Sequence, residues 1–315
     1  MKVSFGTNIV EGPWGGGNLF LINLKNYLEK AGHKVVFGLD DNDIDIILFT
    51  DPRKGRGSTS LFNEKEIRKY KSKINKDVFV VQRINECDER KQTNKINKIY
   101  LNATKIADHV VFVSEWLRNI YIKIGMEEEK SSVILSGSDQ SIFNNIGRTD
   151  KPLNSKFSLV THHWSSNWLK GFELYTFIDN LLEENYWRNK IEFTYIGNVE
   201  KKVVFKNTKI IKPLNGLELS SELKQHDIYV TGSLNEPSGN HHIEAGLCGL
   251  PILYINSGGI PEYTKNFGLE VNIDTFEDRL NYMIEYFSNF QKKMDNYSFN
   301  SETMCEKYLN LFENQ

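Results

Sequence analysis

Two successive series of short apolar runs, each run followed by a segment of helical periodicity, constrain this chain more than any other feature. A parallel strand covered on both faces reads as a near-continuous run of Val, Ile, Leu and Phe, and its parallel neighbour is reached only through a crossover, usually a helix. In the first series, strands are expected at 2–6, 34–38, 44–50, 77–82, 109–113 and 131–135, with helices at 18–31, 63–73, 92–106 and 115–124. In the second, strands are expected at 157–162, 191–196, 208–211, 227–231, 252–255 and 268–271. The helices of that series fall at 171–186, 217–225, 241–248, 276–293 and 301–313. The polar stretch 147–156 breaks both periodicities and contains Pro152, so it reads as a linker. The fold class is therefore α/β, with two doubly wound, Rossmann-like parallel-sheet domains over 1–150 and 151–295. Such domains gather ligands at the carboxyl ends of their strands, and a central cleft faced by both is the expected site.

At 315 residues, 39% of them hydrophobic, the chain can bury two cores. A net charge of −2 speaks against a nucleic-acid partner, which a strongly basic face would serve. Cys87, Cys248 and Cys305 are odd in number and widely spaced, which suggests neither a disulfide framework nor a zinc cluster and fits a reducing cytoplasm. No apolar run approaches the roughly 20 residues needed to span a bilayer. The basic segment 64–76 allows a weak peripheral contact with an anionic inner membrane face. Its interleaved Glu64 and Glu66 make a solvated helix face the plainer reading.

The densest chemistry lies between Glu236 and Glu262. A strand ends near Val230, a polar loop carries Glu236, and a helix begins near His241 with Glu244 in its first turn. That order places the amides of Gly239, Asn240 and His241 at a helix N-terminus, where anions such as a diphosphate are attracted. Two carboxylates spaced as Glu236 and Glu244 can accept hydrogen bonds from different hydroxyls of one ligand, and a sugar nucleotide carries such hydroxyls on both hexose and ribose. An acidic first turn also stabilises a helix with no ligand at all.

These residues resemble the E-x7-E signature of retaining GT-B glycosyltransferases, family 4 in particular, and the likeness continues through Cys248-Gly249-Leu250-Pro251 and Gly258-Gly259-Ile260-Pro261-Glu262. The resemblance implies a GT-B fold whose last helix, at about 296–315, crosses back to complete the N-terminal, acceptor-side domain. It implies that Glu236 contacts the donor sugar and Glu244 the ribose of a nucleotide diphosphate sugar. It further implies a retaining hexosyltransferase that needs no metal or other cofactor. The acceptor would be a hydroxyl of a glycan, a lipid-linked sugar or another molecule.

Three further clusters follow predicted strands. In His162-His163-Trp164-Ser165-Ser166-Asn167-Trp168-Leu169-Lys170, Lys170 can neutralise a leaving diphosphate, whose charge grows as the glycosidic bond breaks. The family typically shows Arg-x4-Lys here, and Ser165 stands where the Arg would be, so donor contacts are expected from Ser165 and Lys170 with nearby amides. In Gly12-Pro13-Trp14-Gly15-Gly16-Gly17-Asn18, consecutive glycines let the backbone approach a ligand, and Gly15, Gly16 and Gly17 resemble the family's phosphate-facing loop. In the run 81–91, Arg83, Asn85 and Asp88 are expected on the acceptor side, touching acceptor or donor sugar; a polar network closing the sheet end is the competing reading. The pairs His162-His163 and His241-His242 raise a metal question, but adjacent residues point to different sides of a strand or helix, so no metal site is expected.

Catalytic roles thus fall to Glu236 and Lys170. The departure at Ser165 motivates an alternative, a non-catalytic nucleotide- or glycan-binding protein on the same fold. A nucleotide-sugar epimerase on that fold is the other.

Overall fold

The computed structural model describes residues 1–10, 15–55, 58–148, 151 and 155–315. Its first elements are β1 (Lys2–Phe5), α1 (Gly16–Lys30), β2 (Lys34–Phe37), β3 (Ile46–Phe49), α2 (Glu64–Lys73), β4 (Phe79–Ile84), α3 (Ile96–Ala103), β5 (His109–Phe112), α4 (Glu115–Lys123) and β6 (Ser131–Val133). Then come β7 (Phe157–His163), α5 (Phe172–Leu181), α6 (Asn185–Lys190), β8 (Ile191–Gly197), β9 (Lys209–Ile211), α7 (Gly216–Leu223) and β10 (Ile228–Thr231). The chain continues with α8 (Asn240–Leu247), β11 (Ile252–Tyr254), α9 (Ile260–Thr264), β12 (Gly268–Glu270), α10 (Phe276–Glu285), α11 (Phe287–Met294) and α12 (Ser301–Glu313).

The strands form two six-stranded sheets, ordered β2-β1-β3-β4-β5-β6 and β12-β11-β10-β7-β8-β9, and every pairing is parallel. This is the doubly wound architecture that the apolar runs predict. The strand order reverses between β1 and β3 in one sheet and between β7 and β10 in the other, and ligands of doubly wound folds bind at such points, outside the carboxyl ends of the strands. The residues Ile46–Phe49 of β3 and Ile228–Thr231 of β10 are buried throughout, as central strands with both faces covered must be.

The chain divides into two compact units, Met1–Gly137 with Ser301–Gln315, and Ser138–Asn300. The parting comes earlier than the linker expected over 147–156, of which 149–150 and 152–154 lie outside the described residues. Side chains of the second unit capture the segment after Gly137: Ser220 Oγ donates to the Ile142 carbonyl at 2.6 Å and Lys224 Nζ to that of Ile146 at 3.1 Å. Arg148 in turn donates to the Asp227 carbonyl at 3.2 Å. Polar anchoring of this kind leaves no periodicity in sequence. At the other end, α12 buries Met304, Cys305, Tyr308 and Phe312 in one cluster with Phe20, Leu21, Leu24 and Leu28 of α1, so it belongs to the N-terminal unit.

Helix boundaries depart from expectation where local chemistry overrides periodicity. The helix expected over 92–106 starts at Ile96, because Gln92 has φ +53 and Asp88 holds the amides that follow. The expected 171–186 helix divides into α5 and α6, with the Arg188 guanidinium donating to the carbonyls of Leu182 and Glu183 at the break. The expected 276–293 helix divides at Tyr286, where φ −106 and ψ 27 leave the helical region and Phe287 turns onto Phe157, ring centroids 5.1 Å apart. The short α9 is too brief to register as a periodic pattern. Ser114 caps α4 as expected, accepting from Leu117 N at 3.3 Å.

Candidate active site

In the C-terminal unit the reversal of strand order puts the loops after β7 and β10 beside each other. The first carries Lys170 and the second Glu236, and the Lys170 ammonium donates a hydrogen bond to Glu236 Oε2. The two loops approach at backbone distance. Gly171 has φ +106, and a Cβ there would lie 2.6 Å from the Gly232 backbone, so only glycine allows Lys170 to reach Glu236 this way. Glu236 is 5% exposed, and an ion pair this enclosed is weakly screened by solvent.

Glu236 is held from behind by the glycine run that follows β11. Gly259 N donates to the Glu236 carbonyl at 2.9 Å, and Ser257 Oγ accepts from Asn235 N at 2.9 Å. Gly258, at φ +66, lies so close that a Cβ would stand 2.3 Å from the Glu236 carbonyl oxygen. The Gly258-Gly259 part of the sequence motif thus acts as a backbone clasp that fixes where Glu236 points. Asn235 takes φ +52, a conformation that Asn tolerates better than most residues.

Glu244 lies in α8, one turn from the helix start, 7% exposed. Its Oε2 is 2.9 Å from His162 Nε2 on β7. Around this pair stand three more buried histidines, His163, His241 and His242. Burial holds His163 and His241 well below the ordinary histidine range and lowers His242 to about 3, so all three rings are neutral. The Tyr175 hydroxyl links the two loops: it accepts from Gly232 N at 3.1 Å and from Thr161 Oγ1 at 3.0 Å. Its proton is then directed to His163 Nε2, 2.7 Å away, which a neutral imidazole can accept. The Thr231 hydroxyl meets His241 Nε2 at 2.9 Å. The histidines therefore tie β7, β10 and α8 together. Among the described residues no group of three or more His, Cys, Asp or Glu is arranged to hold a metal ion.

Gly239 is the N-cap of α8, and Asn240 and His241 open its first turn, whose amides have no partner within a helix. Ser165 is exposed, and its hydroxyl accepts from Asn167 N at 3.3 Å, which shapes a local turn. Trp164 and Trp168 flank it, 57% and 47% exposed.

In the N-terminal unit, Gly15 is the N-cap of α1 and Gly16 and Gly17 begin it, while Gly12, Pro13 and Trp14 lie outside the described residues. Asn18 bonds to the Val10 backbone, its Oδ1 accepting from Val10 N and its Nδ2 donating to the Val10 carbonyl, both at 2.9 Å. Asn85, just past β4, brings its Nδ2 within 3.8 Å of where a Cβ on Gly17 would stand. Arg83 is buried, with its guanidinium 4.0 Å from the centroid of Phe20. Arg83, Asn85 and the glycines thus gather around the start of α1.

Asp88 does not join them. Its Oδ1 accepts from Thr93 Oγ1 at 2.5 Å and from the amides of Lys95 and Ile96 at 2.9 Å, and its Oδ2 from Asn97 N at 3.0 Å. Although burial pushes this carboxyl up, the hydrogen bonds from Thr93, Asn97, Ile96 and Lys95 prevail and hold it below the ordinary range. Asp88 thus holds the start of α3, which is the polar network closing the sheet end. What the sequence concealed was His162 as Glu244's partner and the clasp at Gly258; the only signal for the first was a histidine pair that invited the question of a metal.

Residues 192–301 match the family model described as glycosyl transferases group 1. Among curated protein sequences none matches the chain. Of solved structures, Anabaena Alr3699/HepE in complex with UDP and glucose superposes with a TM-score of 0.71 at 15% identity, covering 100% of both chains. Sucrose-phosphate synthase from Thermosynechococcus elongatus gives 0.68 at 13%, covering 99% of this chain and 98% of that one. The lipopolysaccharide outer core galactosyltransferase WaaB gives 0.69 at 12%, covering 100% of both. At these identities the likeness establishes the fold, which is that of GT-B glycosyltransferases.

Proposed function

We propose that the protein is a glycosyltransferase that moves a sugar from a nucleoside diphosphate sugar to an acceptor hydroxyl with retention of anomeric configuration. The observation that carries this is the Lys170–Glu236 pair beside Glu244, where the strand order reverses in the C-terminal unit. Glu236 and Glu244 lie within the stretch that matches the glycosyl transferases group 1 model. UDP and glucose in the Anabaena Alr3699/HepE complex support a nucleotide-sugar donor.

In this reading Glu236 accepts hydrogen bonds from the donor sugar and Glu244 from the ribose. Lys170 has donors to spare beyond the one given to Glu236, and it stabilises the diphosphate as charge develops on it. The first-turn amides of α8 add to that stabilisation. The acceptor oxygen bonds to the anomeric carbon on the face that the diphosphate vacates as the sugar–phosphate bond breaks. The departing phosphate oxygen takes the acceptor's proton, so no separate general base is required; Lys170 and the α8 amides take the place of a metal ion on the diphosphate. In the N-terminal unit, Gly15 to Gly17 are the phosphate-facing loop, and Arg83 and Asn85 are the sugar contacts.

Thermal shift and calorimetry with a panel of UDP-, ADP- and GDP-sugars test the donor, and NMR of the product's anomeric proton tests retention. Binding of one nucleotide class, weakened about tenfold or more by Glu244→Ala, is expected. Failure of every nucleotide sugar to bind overturns the proposal. The exposed Ser165 favours a second reading, a non-catalytic binder of the same ligand, since it leaves the usual second cation out. Acceptor-dependent release of nucleoside diphosphate excludes that reading, and an epimerase as well.

A further inference from the structure

We infer that His162 is a positioning residue for the nucleotide's ribose, acting through Glu244; this rests on the proposed role of Glu244. The two side chains come from different elements, β7 and α8, and meet at 2.9 Å with 10% and 9% of their side-chain surfaces exposed. A glutamate has three rotatable side-chain bonds, and one that recognises a hydroxyl pair must keep a single rotamer. The contact from His162 Nε2 fixes that rotamer.

The geometry of the ring leaves it little other polar work. His162 Nδ1 is buried and has no hydrogen-bond partner. The ring is wedged edge-on between Tyr229, centroids 5.5 Å apart, and His241, 6.3 Å apart with planes at 85°. The backbone is pinned as well, His162 N donating to the Tyr229 hydroxyl at 3.2 Å. Every fixed contact of His162 therefore converges on presenting Nε2 to Glu244. Among the described residues the carboxylate has no other side-chain hydrogen bond, so its second oxygen is left for a ligand hydroxyl. With His163, His241 and His242 neutral around it, none of these three rings competes as a cation for the Glu244 carboxylate.

The test separates the ribose term from the rest of the affinity. Calorimetry is performed with the best-binding of UDP, ADP and GDP and with its 2′,3′-dideoxy counterpart, on the wild-type protein and on Glu244→Ala, His162→Phe, His162→Leu and His162→Gln. The wild type is expected to prefer the ribonucleotide at least tenfold, about the value of one hydrogen bond to a charged group. Glu244→Ala is expected to lose that preference. His162→Phe and His162→Leu are expected to cut it to about threefold or less while binding the dideoxynucleotide as the wild type does, and His162→Gln, which keeps a donor, to restore most of it. The two apolar variants keep the test open if one fails to fold. A wild-type preference in a folded His162→Phe or His162→Leu protein, with Glu244→Ala having lost it, overturns the inference and leaves Glu244's role standing. A wild-type preference in Glu244→Ala overturns both.

Discussion

Replacing Gly258 by alanine should disable the site through the backbone of Glu236, without altering any side chain that meets the ligand. Two effects combine. At φ +66 a side-chain-bearing residue is strained by roughly 1–2 kcal/mol. The added Cβ would also stand 2.3 Å from the Glu236 carbonyl oxygen, where ordinary contact begins at 3.4 Å, so one of the two segments must withdraw by about 1 Å. That withdrawal breaks the hydrogen bond from Gly259 N to the Glu236 carbonyl, worth about 1 kcal/mol. The sum is about 2–3 kcal/mol, or a fall in melting temperature of roughly 4–12 °C for a unit of this size. If Glu236 orients the reacting sugar as proposed, a displacement of about 1 Å there costs on the order of a hundredfold in kcat/KM. Gly216→Ala is the control, since Gly216 is also left-handed, at φ +54, but has nothing within 4 Å of a new Cβ. It should show the backbone strain alone, about 1–2 kcal/mol, with full activity. The measurements are thermal unfolding by circular dichroism and initial rates of nucleoside diphosphate release. A Gly258→Ala protein with the melting temperature and kcat/KM of the Gly216→Ala control would refute the clasp.

Under the proposed role, in which the ammonium serves mainly the charge that develops on the leaving group, Lys170→Met should lower kcat by at least about a hundredfold with a smaller effect on nucleotide Kd; equal losses in steady-state kcat and in Kd would contradict that role. Asp88→Ala should cost about 0.5–2 kcal/mol in urea unfolding, as loss of a helix-start cap does, and leave nucleotide affinity unchanged. Because the Asp88 carboxyl is held below its ordinary value in the folded protein, its stabilisation is complete above about pH 4 and fades as pH falls through the depressed value, so wild type and variant should converge in acid. The buried histidines work at higher pH. His242 titrates at about 3 when folded but near 6.5 when unfolded, so the unfolded chain binds the extra proton between those values. Stability should therefore fall by about 1.4 kcal/mol per pH unit for each such ring as pH drops below about 6.5. His242→Phe should flatten that slope in denaturant midpoints measured from pH 7 to pH 5, and an unchanged slope would count against a neutral buried ring.

The strands were the most legible part of the fold, because a central parallel strand is covered on both faces and so announces itself as a short apolar run, as Ile46–Phe49 does. Helix ends were less legible. Gln92 and Tyr286 leave the helical region for reasons that lie in the capping carboxylate of Asp88 and in the packing of Phe287 on Phe157, both remote from any periodic pattern. In the site, Glu236, Glu244 and Lys170 stood out because each follows a strand in a motif with fixed spacing. Asp88 stood out only as a polar residue after a strand, and it holds the start of α3, since a carboxylate there serves equally well as a cap.

The sequence by itself determined the two series of parallel strands, the loops that end them and the residue types that those loops carry, because burial and spacing are local properties of the chain. Which of those loops meet was decided by the tertiary structure. Placing β10 next to β7, with β11 beyond it, brings Lys170 to Glu236 and His162 to Glu244 across separations of 66 and 82 residues. The clasp of Gly258 on Glu236 arises in the same way, from a close approach of two loops that have no common periodicity. Contacts of this kind depend on strand order, and strand order is fixed only when the whole sheet closes over its core.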